Sequence, residues 1–207
     1  MISLISIILV EPENSGNIGA VARAMKNMGL TDLRLVKPPA LWEEKGMRMA
    51  VSALDILKKA QTFDSLETAI GSAHLVIGTT RRTGQKRQRT FLPFKKTVLK
   101  IKQTVRRKSV ALVFGKESKG LDNDSLALCD WLTTIPASEI YPSINLDQAV
   151  MIMAFALFEE SEKKKDKADF LDLPLVSKKE VQDVLKRFEA ALRCLEYQRE
   201  GGDVIRR

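Results

Sequence analysis

From Ala149 to Phe158 the chain reads AVMIMAFALF, ten successive apolar residues. The residues before them, Asn145, Leu146, Asp147 and Gln148, predict a helix start: Asn145 or Ser143 can cap its free N–H groups, and Asp147 sits in the first turn, where the positive end of the dipole favours a carboxylate. A helix that is apolar on every side has to be covered on every side. The run falls well short of the roughly 20 residues of a membrane span, so lipid is not the cover. In a chain of 207 residues the simplest burial puts one side on the domain's own core and the other on a second copy of the protein. The proline-containing polar turn before the helix, Pro136 to Ser143, would then lie beside a subunit interface, and we read it as part of a ligand site.

The remainder of the chain predicts an α/β domain. Ser3–Val10 is rich in Ile and Leu, as a fully buried parallel strand is. A turn at Glu11–Gly16 leads to a helix with Ile18, Val21, Ala22, Met25 and Met28 at i, i+3, i+4 spacing, ended by Gly29. Leu33–Val36 is the next strand, so the chain opens β-α-β, the unit that builds parallel sheets. Helices are expected over Gly46–Ala60, Ser65–Ala73, Pro93–Lys108 and Asp122–Cys129, and strands over His74–Thr79, Val110–Gly115 and Trp131–Ile135. Three strand ends, at Thr79, Gly115 and Ile135, feed loops of small and polar residues, which suggests one cleft at the carboxyl edge of the sheet. Beyond Glu159 the composition changes. Residues 1–160 are read as the domain, 161–176 as a charged linker and 177–207 as a helical extension. Ser177-Lys178-Lys179-Glu180 is a capping box, followed by Val181, Val184, Leu185, Phe188, Ala191, Leu192 and Leu195 on one face, a stripe that needs a surface to dock on.

Charge is distributed unevenly. The formal net charge is +8, yet between Arg81 and Ser109 there are twelve Lys or Arg and no acidic residue, which leaves 22 basic against 26 acidic residues elsewhere. Concentration of the whole excess in one window predicts a surface facing a polyanion. Two cysteines, Cys129 and Cys194, lie far apart with no C-x-x-C pair, so we expect free thiols in a cytoplasmic protein and no metal site. Ile2–Val10 has neither a cationic start nor a cleavage site, and reads as a strand rather than a leader. The single histidine, His74, opens a strand and is read as structural.

Arg23 stands out on the first helix. Its apolar stripe centres near Ile18 and Met25, and Arg23 lies opposite, flanked by Gly16, Gly19, Ala20 and Asn27. Small neighbours let a ligand, a nucleic acid or another backbone approach it closely. The Gly-Asn-Ile-Gly sequence lacks the G-x-G-x-x-G spacing and the later acidic residue of a dinucleotide site, and Gly115–Leu121 lacks the P-loop order.

Three segments add to this reading by resemblance. Asn17–Arg23, Val113–Leu121 and Ile135–Val150 resemble, in order and spacing, the three motifs of the SpoU branch of the SPOUT methyltransferases. The opening VEPENSGNIGAVARAMKNMG is most similar to the TrmJ-type tRNA 2′-O-methyltransferases, which modify the first nucleotide of the anticodon loop. The resemblance implies a SPOUT α/β knot with a C-terminal trefoil knot, S-adenosylmethionine as methyl donor, an obligate homodimer and RNA, above all tRNA, as substrate. It implies cofactor contacts at Thr79, Thr80, Arg81, Gly115, Leu121, Ile135, Pro142, Ser143, Ile144 and Leu146. Arg23 would come from the other subunit, with Asn17, Glu117, Ser143 and Asn145 completing the active site. Arg23 is the family's proposed base, although a guanidinium normally stays charged and could instead hold a phosphate and stabilise the developing alkoxide. The RNA surface would be the basic window, with Arg82, Lys86, Arg87 and Arg89 as the contacts. The same motifs serve ribosomal-RNA methyltransferases and enzymes for other tRNA positions. A non-catalytic RNA-binding dimer is the alternative from another class.

Overall fold

The computed structural model describes residues 4–81, 91–162 and 178–194. Its architecture follows from the first strand. β1 (Ile5–Val10) is buried along its whole length. Its side chains divide by the period-two rule, Ile5, Ile7 and Leu9 entering one core and Ile8 and Val10 the other. A strand apolar on both faces belongs inside a parallel sheet. β1 pairs in parallel with β2 (Asp32–Val36) on one side and β5 (Val110–Phe114) on the other. With β3 (Gln61–Phe63), β4 (Leu75–Thr79) and β6 (Trp131–Thr133) the order is β3-β2-β1-β5-β4-β6, every neighbouring pair parallel.

The helices between strands are α1 (Ser15–Asn27), α2 (Trp42–Ala50), α3 (Leu54–Lys59), α4 (Leu66–Ile70), α5 (Phe94–Thr104) and α6 (Asn123–Ala127), and α7 (Leu146–Glu162) follows β6. α1, α2, α3, α5 and α7 bury their apolar residues in the larger core, and α4 and α6 in the smaller one on the opposite face. Connections that step toward β3 run over the first face, and those that step toward β6 run over the second, as crossovers of a single hand must.

The structure departs from the sequence expectations in identifiable places. The helix expected over Gly46–Ala60 begins earlier, at Trp42, and is broken: Val51 has φ 49°, and a short 3-10 turn at Val51–Ala53 precedes α3. No glycine or proline marks that break. The turn redirects the chain so that Gln61–Phe63, an unforeseen strand, pairs with Arg34–Val36. α4 is shorter than Ser65–Ala73, with Ser65 as its cap. α5 stops at Thr104, where Arg107 and Lys108 both donate to the Thr104 carbonyl and form a turn. β6 ends at Thr133, two residues short of Ile135.

α7 is the continuous helix expected, and it is two-sided. Leu146, Val150, Met153, Ala154 and Leu157 are buried, while Ile152, Phe155 and Phe158 on the other side are 38%, 52% and 39% exposed. The chain divides into two units, Met1–Asp166 and Lys167–Arg207. In the second, α8 (Lys178–Cys194) exposes Val181, Val184, Leu185 and Phe188. Ser177 of the expected capping box, Leu195 of the stripe and most of the linker fall outside the described residues.

Candidate active site

The loop leaving β5 runs over the opposite face of the sheet from the loops leaving its neighbours β1 and β4. The sheet therefore opens on both sides of β5 at its carboxyl edge, where open α/β sheets take ligands. The two openings are used differently.

Toward β1 the protein closes the opening with its own side chains. Glu11 leaves β1 with φ 48° and its carboxylate meets the Lys116 ammonium. The Glu13 carboxylate accepts from the Ser118 N–H at 3.0 Å and from the Ser118 hydroxyl at 2.6 Å. Glu117 points the other way. Its Oε2 accepts from the Glu13 N–H at 2.7 Å, and its Oε1 from Asn17 Nδ2 at 2.6 Å and the Asn14 N–H at 3.3 Å. Three successive residues after β5 thus clasp the turn that leads into α1. The Ser118 bonds hold the Glu13 carboxyl below the usual carboxylate range, and the bond to Glu11 raises the Lys116 ammonium above its ordinary value. Both are therefore ionised at neutral pH.

Toward β4 the opening is a cleft of about 680 Å³, a size that suits a small ligand or cofactor. Thr79–Arg81 after β4, Gly115–Gly120 after β5 and a long segment after β6 line it. The walls are tied together: the Thr79 hydroxyl donates to the Val113 carbonyl at 3.0 Å, the Thr80 N–H to the Thr133 carbonyl at 2.9 Å, and the Thr134 hydroxyl to the Thr80 carbonyl. Gly115 is required here, since a Cβ on it would lie 2.1 Å from the Gly120 carbonyl carbon and 2.2 Å from the Leu121 nitrogen. Gly120 turns the loop with φ +69° and donates its N–H to the Lys116 carbonyl at 2.8 Å.

Of the residues picked out from sequence, Thr79, Thr80, Arg81, Gly115, Ile135, Pro142, Ser143, Ile144 and Leu146 are brought together around this cleft, with Glu117 on its rim. Leu121 is not: it is 3% exposed in the smaller core, packed close to Gly78 beneath the loop. Asn145 is exposed at the head of α7, where its carbonyl accepts from Ala149, and does not line the cleft. Asn17 is in the clasp, and Arg23 is exposed on α1. The small residues around Arg23 are not all open to a partner. Gly19 does not leave open space beside it; Gly19 is buried against α2, and a Cβ there would meet the Gly46 carbonyl oxygen at 2.1 Å. The small residue serves close helix packing within the chain. Arg82, Lys86, Arg87 and Arg89 lie outside the described residues.

Sequence reasoning missed Glu11, Glu13, Lys116 and Ser118 as a clasp. They read as turn residues, and partners about a hundred positions apart leave no local signal. His74 bonds through Nδ1 to the Ser109 hydroxyl at 2.8 Å, a structural contact at the far edge of the sheet. Cys129 is buried, donates to the Ser125 carbonyl, and burial pushes its thiol up to about 12. Among the described residues no group of three or more His, Cys, Asp or Glu could hold a metal ion, and no helix is long and apolar enough to cross a membrane.

A parallel α/β domain with a cofactor-sized cleft built at three strand ends defines a class of small-ligand enzymes. The chain belongs to the SpoU rRNA Methylase family, whose family model matches residues 4–155. It is 35% identical over 190 residues to the tRNA (cytidine-2′-O-)-methyltransferase TrmJ of Methanocaldococcus jannaschii, covering 91% of this chain and 81% of that protein. A probable methylase family protein from Haemophilus influenzae has a similar structure, with TM-score 0.75 and 32% identity over 97% of this chain and 83% of that one. The SpoU methyltransferase AviRb from Streptomyces viridochromogenes, solved in complex with AdoMet, shares the fold at TM-score 0.60 and 18% identity, over 76% of this chain and 60% of that one.

Proposed function

We propose that this protein is an S-adenosylmethionine-dependent tRNA 2′-O-methyltransferase, acting on cytidine or uridine at the first nucleotide of the anticodon loop. The observation that carries the reading is the cleft itself: residues of two motifs, remote in sequence from the Thr79–Arg81 loop, converge with it on one cavity. The cavity fits the donor. Ile135, Ile144, Leu146 and Ala149 offer an apolar wall for an adenine, and the Gly115–Gly120 loop offers backbone polar groups along the cleft. The cofactor supplies a methyl group already activated on sulfur. This chain's residues hold the ribose 2′-oxygen in line with that methyl and help its proton leave.

The exposed side of α7, with Ile152, Phe155 and Phe158, supports a homodimer in which it is covered by the same helix of a second copy. Each protomer then offers Arg23 to the partner's cleft, where the guanidinium holds a phosphate and stabilises the developing alkoxide. In this reading Ser143, which lines the cleft, and Asn145, at the head of α7, complete the active site. Arg82, Lys86, Arg87 and Arg89 contact the RNA, residues 177–207 are an extension after a linker at 161–176, the domain carries a C-terminal trefoil knot, and the protein works in the cytoplasm. The chemistry is tested by incubating the dimer with total RNA and S-adenosylmethionine labelled in its methyl group, then mapping the labelled ribose. Label on a pyrimidine 2′-oxygen at the start of the anticodon loop is expected, lost in both Arg23→Ala and Arg23→Lys. Label in ribosomal RNA alone would reject the substrate, and near-full turnover by Arg23→Ala would reject the assignment of Arg23.

A further inference from the structure

α5 carries a surface that the cleft does not use. Its inner side, Thr97, Val98 and Ile101, is buried. Its outer side exposes Lys95, Lys96 and Lys100, and the turn that follows exposes Arg106, Arg107 and Lys108. Among the described residues none of these six is in an ion pair, whereas Lys102 at the edge of the ridge is tied to Glu160 at 3.0 Å. Six charges of one sign along one ridge raise its potential and attract an anion of matching extent.

The ridge has a fixed position relative to the cleft. The Leu92 N–H donates to the Leu132 carbonyl at 2.8 Å, and the Thr97 and Thr133 hydroxyls bond at 3.0 Å, so α5 starts beside the end of β6. The next residue, Thr134, lines the cleft. Arg106–Lys108 lie at the other end, just before β5 begins at Val110, on the opposite edge of the sheet. At 1.5 Å per residue α5 itself is about 16 Å long, and the turn extends the charged strip past its end. A small anion needs one of these six cations. A lipid surface needs apolar anchors, and Leu99, 46% exposed, is the large apolar side chain the ridge offers. A nucleic-acid duplex presents phosphates along that whole length.

We propose that the outer side of α5 and the Arg106–Lys108 turn bind phosphates in the helical body of the RNA substrate, the turn lying at the end of α5 farther from the cleft. This rests on the RNA reading above and adds to it: the substrate is recognised as a structured RNA with a stem beyond the reacting loop. The test uses the full chain with two probes, an intact tRNA transcript and its isolated anticodon hairpin, titrated over a salt series. The variants are K95Q/K96Q/K100Q and R106Q/R107Q/K108Q. On the intact transcript each variant should flatten the slope of log K against log salt by about two to three, near 0.9 for each phosphate no longer neutralised, and weaken binding about tenfold or more. On the hairpin, R106Q/R107Q/K108Q should bind within about twofold of the parent, because the hairpin does not reach the distal turn. Cofactor affinity and melting temperature should stay unchanged.

Unchanged transcript binding, or equal loss on both probes for the distal variant, would overturn the proposal. So would a loss confined to anionic phosphatidylserine vesicles, which would make the ridge a membrane surface. The two readings fail separately. If the parent methylates the hairpin while both variants bind transcript normally, the ridge assignment alone falls; if the parent methylates no RNA, the enzymatic reading falls.

Discussion

Glu117→Gln isolates the clasp from the chemistry. The carboxylate accepts three hydrogen bonds, two of them at 2.6 and 2.7 Å. An amide can keep its oxygen toward Asn17 and Asn14, but its NH2 then faces the Glu13 N–H, donor against donor. One charge-assisted bond disappears outright and the other two become neutral ones, about half as strong. For a partly exposed group the loss is about 1–2 kcal/mol, which for a domain of this size lowers the melting temperature by about 2–8 °C. Glu117 reaches both the cleft rim and Asn17 on α1, so cofactor affinity should fall with the melting temperature. Thermal unfolding of the full chain, with calorimetric titration of S-adenosylmethionine, measures both. A variant that melts within about 1 °C of the parent and binds cofactor normally, yet turns over slowly, would refute this account and make Glu117 a group that acts on the substrate directly.

Four further outcomes follow from named residues. Gly115→Ala should abolish cofactor binding or folding, because its Cβ would strike the Gly120 and Leu121 backbone at about 2 Å, whereas Gly71→Ala, whose Cβ would meet its first neighbour at 3.5 Å, should melt like the parent; unfolding curves of both variants check this. Phe155→Glu should give a monomer in sedimentation experiments and lose methyl transfer, since it puts a charge in the middle of the exposed side of α7; an active dimer would exclude α7 as the interface. The Glu13 carboxyl is depressed, so its contribution to stability is present above its unfolded value near 4.5 and is lost as pH falls through the lower folded value. Acid unfolding below pH 4.5 should therefore be less steep in Glu13→Gln. The Cys129 thiol is raised, so its contribution is intact below about 9 and is lost as pH rises toward 12, and native protein at about pH 8 should resist thiol reagents.

The chain's own residues determined a good deal. Strands readable on both faces, such as Ile5–Val10 and Val110–Phe114, predict a buried parallel sheet, because period two with apolar residues at both phases has no other stable home. The loops at Thr79, Gly115 and Ile135 were legible as one cleft because strands that run parallel deliver their ends to the same edge. The all-apolar Ala149–Phe158 predicted one continuous helix, and α7 runs unbroken through it with its inner side in the core and its outer side exposed.

Tertiary structure alone decided the rest. Whether Gly19 served a ligand or a helix could not be read from α1, because the answer lies in the Gly46 carbonyl of α2. Leu121 looked like a cleft residue by its place in a motif, and went to the core because the loop folds back over Gly115. The clasp of Glu11, Glu13 and Asn17 with Lys116–Ser118 joins segments about a hundred residues apart, a distance over which no periodicity carries information. Local pattern fixes which way a side chain can face; which neighbour it faces is set only when the sheet brings β1 and β5 side by side.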